Sequence, residues 1–116
     1  MYQKDILIHY RNPKNAHDID NITASAERNN SMCGDHIQAV YFSSDGVTIT
    51  DISFKAVGCA ICTASASMLS EKVKGLDIDK AKELKIADFN ALRGVTGSRV
   101  KCASLAFEVL GDLLNE

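Results

Sequence analysis

The apolar pattern of this 116-residue chain changes its period near Gly58, and this change limits the folds open to it. From residue 22 to Gly58, β-prone segments are typical of strands that bury one face. Beyond Gly58, apolar residues recur every three or four positions, as on helices that bury one side. Strands grouped early and helices mostly grouped late predict an α+β domain, in which a three-stranded antiparallel sheet has helices packed on one face.

Three strands are predicted in the first half of the chain. Ile22, Ala24 and Ala26 alternate with polar residues, which predicts a first strand with these side chains buried. Segments 36–42 and 47–57 are both β-prone, and the Ser-Ser-Asp-Gly sequence between them favours a turn. These two segments should therefore pair as an antiparallel hairpin.

The third predicted strand carries a break in its pattern. Val47 and Ile49 fall on one phase of the alternation, whereas Ile52 and Phe54 fall on the other. A single strand register cannot bury both pairs, because successive side chains point to opposite faces of a sheet. A bulge or a sharp twist is therefore predicted near residues 50–51.

The helices are predicted from spacing and from residues that end helices. A short N-terminal helix should end before Pro13, since the residue before a proline disfavours helical geometry. A helix of small residues should follow Gly58, bury one face and end at residues 74–75. Short helical turns are predicted at 78–84 and 87–92. The last helix has the clearest apolar stripe, formed by Cys102, Leu105, Ala106, Val109, Leu110 and Leu113.

Composition and charge exclude several classes of protein. The length predicts a single domain over residues 1–116. A net charge of −2 without a basic face argues against nucleic-acid binding. No apolar run is long enough to cross a bilayer and the first residues are too polar for a secretory signal, so we expect a cytoplasmic protein without membrane association. Its four cysteines are then expected to be reduced thiols available for metal or sulfur chemistry.

The cysteines lie where predicted elements begin or end. Cys33 precedes a strand, Cys59 stands between a strand and a helix, and Cys102 opens the last helix. Such positions can converge at one end of a sheet, and helix N-termini favour thiolates over thiols. Asp35 follows Cys33 across one glycine, so a tight turn can direct its carboxylate to the same ion. Thiolates with a carboxylate suit either tetrahedral Zn²⁺ or cluster iron, and ligand type alone leaves the metal open.

Each of these residues also has an ordinary structural interpretation. Cys102 lies on an apolar stripe, and buried cysteines are common in cores. Asp35 is a typical turn residue. Cys62, beside Ile61 on a closely packed helix, is expected to be structural rather than a ligand. The three histidines are scattered, and none is assigned to the site: His9, His17 and His36.

Four motifs in order along the chain, RNPKN, CGD, GCAICTASASML and RVKCASLAFEVL, resemble the IscU/SufU family of NifU N-terminal type. The resemblance covers nearly the whole chain. It implies an α+β domain that assembles iron and a nascent 2Fe–2S cluster, with sulfur from a cysteine desulfurase, and passes the cluster to apo iron–sulfur client proteins. It also places the family's ligand positions on Cys33, Asp35, Cys59 and Cys102.

The resemblance is divided between two branches of the family. The IscU branch has a His immediately before its last Cys, whereas this chain has Lys101, as the SufU branch does. SufU proteins carry an insertion before the last motif, and segment 75–99 is too short to hold one. Residues 97–101 replace the Pro-Pro-Val-Lys-type segment of IscU, which argues against dependence on a dedicated Hsp70 chaperone. Cys62 occupies a position that is usually not Cys in either branch.

The resemblance leaves two main functions open. The leading hypothesis is a scaffold rather than an enzyme with its own substrate, in which Cys102 first accepts sulfur and Asp35 is a labile cluster ligand. The alternative is a SufU-like zinc-dependent sulfurtransferase, in which the same residues hold Zn²⁺ until one Cys is displaced and accepts persulfide sulfur. A thiol–disulfide oxidoreductase using Cys59 and Cys62 is disfavoured, because no thioredoxin-like βαβ pattern surrounds the pair. A purely structural zinc domain is disfavoured because the apolar content suffices for folding without metal.

Overall fold

The structure is a computed structural model, and it describes residues 4–30, 34–42, 45–89, 92, 95 and 99–115. The predicted sequence of helices and strands is confirmed, while the turn predicted at 87–92 falls partly outside the described residues. In chain order, the elements are α1 (Lys4–Arg11), β1 (Ala24–Asn30), β2 (Asp35–Phe42), β3 (Asp51–Val57), α2 (Ala60–Val73), α3 (Ile78–Ala81), a 3-10 turn (Ile86–Asp88) and α4 (Arg99–Leu114).

The sheet is antiparallel throughout and has β2 at its centre. Ala26, Ala39 and Phe54 are aligned across the three strands, and they belong to the face that packs against α2 and α4. The opposite face carries polar side chains such as Gln38 and Lys55, which stand directly across from each other on β2 and β3. The predicted three-stranded sheet with helices on one face is thus confirmed.

The break in the third strand's pattern is not a bulge, so that half of the prediction is wrong, and the alternative of a sharp twist stays a prediction. The pairing of β2 with β3 is continuous over all of β3, and the phase change lies where the chain enters the sheet. Ahead of that point the backbone pairs with the segment after α2: the Ile49 N–H donates to the Leu76 carbonyl at 2.9 Å, and the Ile78 N–H donates to the Val47 carbonyl at 2.7 Å. Ile49 is buried there, whereas Val47 is exposed.

The first strand begins later than its alternation predicts. Ala24 and Ala26 pack against the core as expected, but Ile22 precedes β1 and is 54% exposed. Ile22 instead lies over the outer face of the sheet, where it lines a cavity of about 400 Å³ together with Ile19 and Val40. The predicted burial of Ile22 in the core is therefore wrong, because the loop before β1 crosses the polar face of the sheet.

Helix α2 is the central helix of the domain. It contacts α1, α4 and β3, so it is buried around most of its circumference and not on the single face that was predicted. Its small residues allow this packing, and its buried serines keep hydrogen-bond partners, as buried polar groups must. The Ser65 hydroxyl donates to the Ala103 carbonyl at 2.6 Å, and the Ser67 hydroxyl accepts from the Lys14 N–H at 2.7 Å.

Helix α4 lies across β1, β2 and α2. Its predicted apolar stripe is buried along its whole length, from Cys102 to Leu113. On the outer edge, Arg28 of β1 forms a two-pronged ion pair with Asp112, with N–O distances of 2.6 and 3.1 Å, and a further pair with Glu108 at 3.6 Å. No helix within the described ranges is both long enough and apolar enough to cross a bilayer.

Candidate metal centre

Three potential metal ligands meet at one end of the sheet. Asp35 is the first residue of β2, Cys59 immediately precedes α2, and Cys102 lies in the first turn of α4. One ligand atom from each of these side chains lies within 4.8 Å of the others. The fourth predicted ligand, Cys33, falls outside the described residues. The chain therefore brings a carboxylate and two thiols together from three separate elements.

The Asp35 carboxylate is held by the start of α2. It is 1% exposed, and one of its oxygens accepts a hydrogen bond from the Cys59 N–H at 2.9 Å. Its other oxygen lies 3.7 Å from the Cys59 sulfur. Backbone N–H groups at a helix N-terminus stabilise negative charge, so the first turn of α2 orients the carboxylate while leaving one oxygen directed at the thiol.

Gly58 makes this contact between Asp35 and Cys59 sterically feasible. Its φ of +144° is a conformation that L-residues with side chains rarely adopt. A Cβ at this position would lie 2.0 Å from the Asp35 Oδ1 atom and 2.9 Å from the Asp35 Cα atom. Only a residue without a side chain lets the end of β3 pass so close to the start of β2. Sequence reasoning treated Gly58 as an element boundary and missed this positioning role, although its place directly before Cys59 was a usable signal.

A cross-helix hydrogen bond fixes the position of Cys102 relative to α2. Cys102 is 6% exposed, and the carbonyl of the next residue, Ala103, accepts the hydrogen bond from Ser65. Ser65 is fully buried and belongs to the same helix that Cys59 begins. The hydroxyl therefore links α2 to α4 at the residue that follows Cys102. Nothing in the spacing of the sequence indicated that a serine held this role.

Within the described part of the chain, the remaining cysteine and the histidines are not members of the ligand group. Cys62 is fully buried in the first turn of α2 and is not a member of the group. His36 follows Asp35 on β2 and so points to the opposite face, where its Nε2 lies 3.3 Å from Glu27. His9 contacts the Ser67 hydroxyl at 2.7 Å, behind α2. Among the described residues, the ligand group contains no histidine.

In each of two ion pairs outside the site, one group has a shifted pKa. A hydrogen bond from Lys55, reinforced by its charge, lowers the pKa of the Asp18 carboxyl below its ordinary value. The hydrogen bond and charge of Asp112 raise the pKa of the Arg28 guanidinium. Both pairs are on the surface, and neither includes a residue of the ligand group.

The donor set has a defined chemistry. Two thiols and one carboxylate, buried or partly buried, match the mixed sulfur and oxygen ligation that zinc and cluster iron accept. A carboxylate is a harder ligand than a thiolate and binds these soft-ligand metals less tightly. Such a centre can hold a thiophilic metal ion or a small cluster, and its oxygen ligand is the one most easily exchanged.

Comparisons with known proteins agree with this geometry. Residues 1–115 match the model of the NifU-like N terminal domain family. The zinc-dependent sulfurtransferase SufU of Bacillus subtilis is 33% identical over 129 aligned positions, which cover 95% of this chain and 86% of that protein. The iron–sulfur cluster assembly scaffold protein IscU 1 of Archaeoglobus fulgidus is 32% identical over 111 positions, which cover 95% and 72%.

The fold also matches solved structures. A crystal structure from Fervidobacterium islandicum, assigned as an iron–sulfur cluster assembly scaffold protein for the SUF system, superposes with a TM-score of 0.81 at 25% identity. The match covers 97% of this chain and 96% of that one. The alignment with the Bacillus SufU is longer than this 116-residue chain, so that relative contains additional residues that this chain lacks.

Proposed function

Since the chain belongs to the NifU-like N-terminal domain family, we propose that it is an iron–sulfur cluster assembly scaffold. In this role it receives sulfur from a cysteine desulfurase and iron from solution or a carrier. It holds the nascent 2Fe–2S cluster as cargo and passes it to apo iron–sulfur proteins. The proposed ligands are Cys33, Asp35, Cys59 and Cys102.

The convergence of Asp35, Cys59 and Cys102 is the observation that supports this proposal most strongly. These residues are distant in sequence, yet their ligand atoms lie within 4.8 Å of each other at one end of the sheet. A scaffold must bind its cargo and also release it. The single carboxylate ligand meets this requirement, because it weakens the hold of an otherwise sulfur-rich site.

The proposed entry point for sulfur is Cys102. Cys102 lies in the first turn of α4, and the adjacent Lys101 and Val100 are exposed, so a desulfurase can approach this end of the helix. Val57, at the end of β3, is also 69% exposed and precedes the Gly58–Cys59 turn. Val57 and Val100 each stand two residues before a proposed ligand, so the proposed docking surface for the desulfurase includes both.

A second candidate function is a zinc-dependent sulfurtransferase. The observation that favours it is the identity with the Bacillus relative bearing that name, together with Lys101 in front of the last cysteine. In this case Zn²⁺ would be a resident cofactor on the same four residues, and the donor set fits it equally well. The chain's own contribution would be a cysteine that leaves the metal and accepts persulfide sulfur.

Anaerobic reconstitution with iron, cysteine and a cysteine desulfurase separates the two functions. Zinc-free and zinc-loaded protein are compared, and visible absorption is followed together with desulfurase turnover. For a scaffold, the zinc-free protein gains sulfide-to-iron absorption and transfers it to an apo-ferredoxin.

The opposite pattern would reverse the assignment. If no cluster forms, while the zinc-loaded protein accelerates the desulfurase and carries persulfide on Cys102, the chain is a sulfurtransferase. A protein that shows neither behaviour would refute both functions.

A further inference from the structure

One thiol beside the site has no part in the ligand group. Cys62 is fully buried in the first turn of α2, three residues after Cys59. Cys59 is the residue that caps the N-terminus of this helix, with extended backbone angles of φ −75° and ψ 166°. The pair is therefore a Cys-Ala-Ile-Cys sequence placed between the end of a strand and the first turn of a helix.

The positions of these two residues allow their sulfur atoms to meet. In reciprocal capping, the side chains of the cap residue and of the third helical residue each reach the other residue's backbone N–H, so these two positions are neighbours in space. Residues three apart on a helix have Cβ atoms roughly 5–6 Å apart, and a disulfide needs only a small closure from that distance. Cys59 is partly exposed and Cys62 is buried, so of these two thiols Cys59 is the one that delivered sulfur can reach.

We propose that Cys59 and Cys62 act as a dithiol that reduces delivered sulfur to sulfide within the scaffold, an inference that rests on the proposed function. Iron–sulfur clusters contain sulfide, whereas a desulfurase delivers sulfane sulfur, so two electrons must be supplied. In the proposed step, the Cys62 sulfur attacks the inner sulfur of a Cys59 persulfide. The S–S bond of the persulfide breaks, a Cys59–Cys62 disulfide forms, and hydrosulfide leaves. The two cysteine sulfurs are oxidised, and the sulfane sulfur gains the electron pair.

Sulfur can reach Cys59 from the proposed first acceptor. The ligand atoms of Cys59 and Cys102 lie within 4.8 Å of each other, so the Cys59 sulfur can attack the outer sulfur of a Cys102 persulfide directly. That exchange regenerates the Cys102 thiol and moves the persulfide to Cys59 without any change in oxidation state. An external dithiol then reduces the Cys59–Cys62 disulfide, and Cys59 becomes available again as a cluster ligand.

The test uses desulfurase that has been loaded with persulfide and then separated from cysteine, so that no small thiol is present. This donor is mixed anaerobically with metal-free wild type, with Cys62→Ser and with Cys59→Ser. Released sulfide is measured, and mass spectrometry locates persulfides and disulfides on peptides. Cobalt binding and circular dichroism show whether the Cys62→Ser protein is folded and keeps its metal site.

For wild type we expect close to one sulfide per chain and a Cys59–Cys62 disulfide. Cys62→Ser should bind cobalt normally, release less than a tenth as much sulfide, and accumulate persulfide on Cys59 or Cys102. Equal sulfide release by wild type and Cys62→Ser would overturn the proposed dithiol step.

The two levels of the proposal fail in different ways. If persulfide is transferred to both wild type and Cys62→Ser but neither protein releases sulfide, the dithiol step is refuted and the scaffold function stands. If persulfide is transferred to neither protein, the sulfur-receiving function itself is refuted, and the dithiol step is refuted with it.

Discussion

Replacing Gly58 with alanine should damage the site more than any other single-methyl change near it. The new Cβ would lie 2.0 Å from the Asp35 Oδ1 atom, 2.7 Å from its Cγ atom and 2.9 Å from its Cα atom. Rotating the carboxylate relieves only the first two contacts, since the third involves backbone. The residue would also be held at a φ of +144°.

The magnitude follows from these two effects. A non-glycine residue in a sparsely populated backbone region costs about 1–3 kcal/mol. Forced overpacking costs a further 1–3 kcal/mol or so. We therefore expect Gly58→Ala to lower the free energy of unfolding by about 2–6 kcal/mol, a large part of the roughly 5–15 kcal/mol typical of a domain. The displaced carboxylate should also weaken cobalt binding.

Gly75 provides a matched control for the backbone effect. Its φ is +85°, and a Cβ there would meet nothing within 4 Å. Gly75→Ala should therefore cost only the backbone part, about 1–3 kcal/mol, and leave cobalt affinity unchanged. Urea unfolding and cobalt titration measure both variants. The steric argument is refuted if Gly58→Ala is no less stable and no weaker in cobalt binding than Gly75→Ala.

Three further predictions concern other contacts. Asp35→Cys should hold a reconstituted cluster more tightly and transfer it to apo-ferredoxin several-fold more slowly, because thiolate is the softer ligand; faster transfer would contradict this. Ser65→Ala removes the hydrogen bond to Ala103, so urea unfolding should show a loss of about 1 kcal/mol and cobalt should bind more weakly; unchanged cobalt affinity would exclude a positioning role. Lys55→Met should raise the pKa of Asp18 in an NMR titration. In wild type the stabilisation from this pair is present at neutral pH and is lost as the pH falls through the lowered pKa of Asp18. If the pKa of Asp18 is the same in Lys55→Met as in wild type, the pairing is refuted.

The parts of the fold that depend on local pattern could be predicted from the sequence. The stripe of α4 and the pairing of β2 with β3 follow directly from periodicity and turn residues. The approach of Val47 and Ile49 to the segment after α2 could not be predicted, because both partners are distant in sequence and the contact is through backbone atoms. The exposure of Ile22 depends on the course of the preceding loop, which no alternation pattern records.

The candidate ligand residues could be predicted from the sequence, whereas the contacts that hold them in place could not. Asp35, Cys59 and Cys102 were identified from their positions at element ends, and the structure brings them together. Cys33 stays a prediction. The contacts that hold the site, from Gly58 to Asp35 and from Ser65 to the backbone after Cys102, arise from tertiary packing.

The most direct test of the account is a cobalt titration of the metal-free protein and its single Cys→Ser variants. Absorption from thiolate to cobalt reports the number of bound sulfurs, and the visible bands report tetrahedral geometry. The account predicts that Cys33→Ser, Cys59→Ser and Cys102→Ser each lose part of the thiolate absorption, whereas Cys62→Ser keeps the wild-type spectrum. A wild-type spectrum for Cys59→Ser or Cys102→Ser, or a reduced one for Cys62→Ser, would contradict the proposed ligand set.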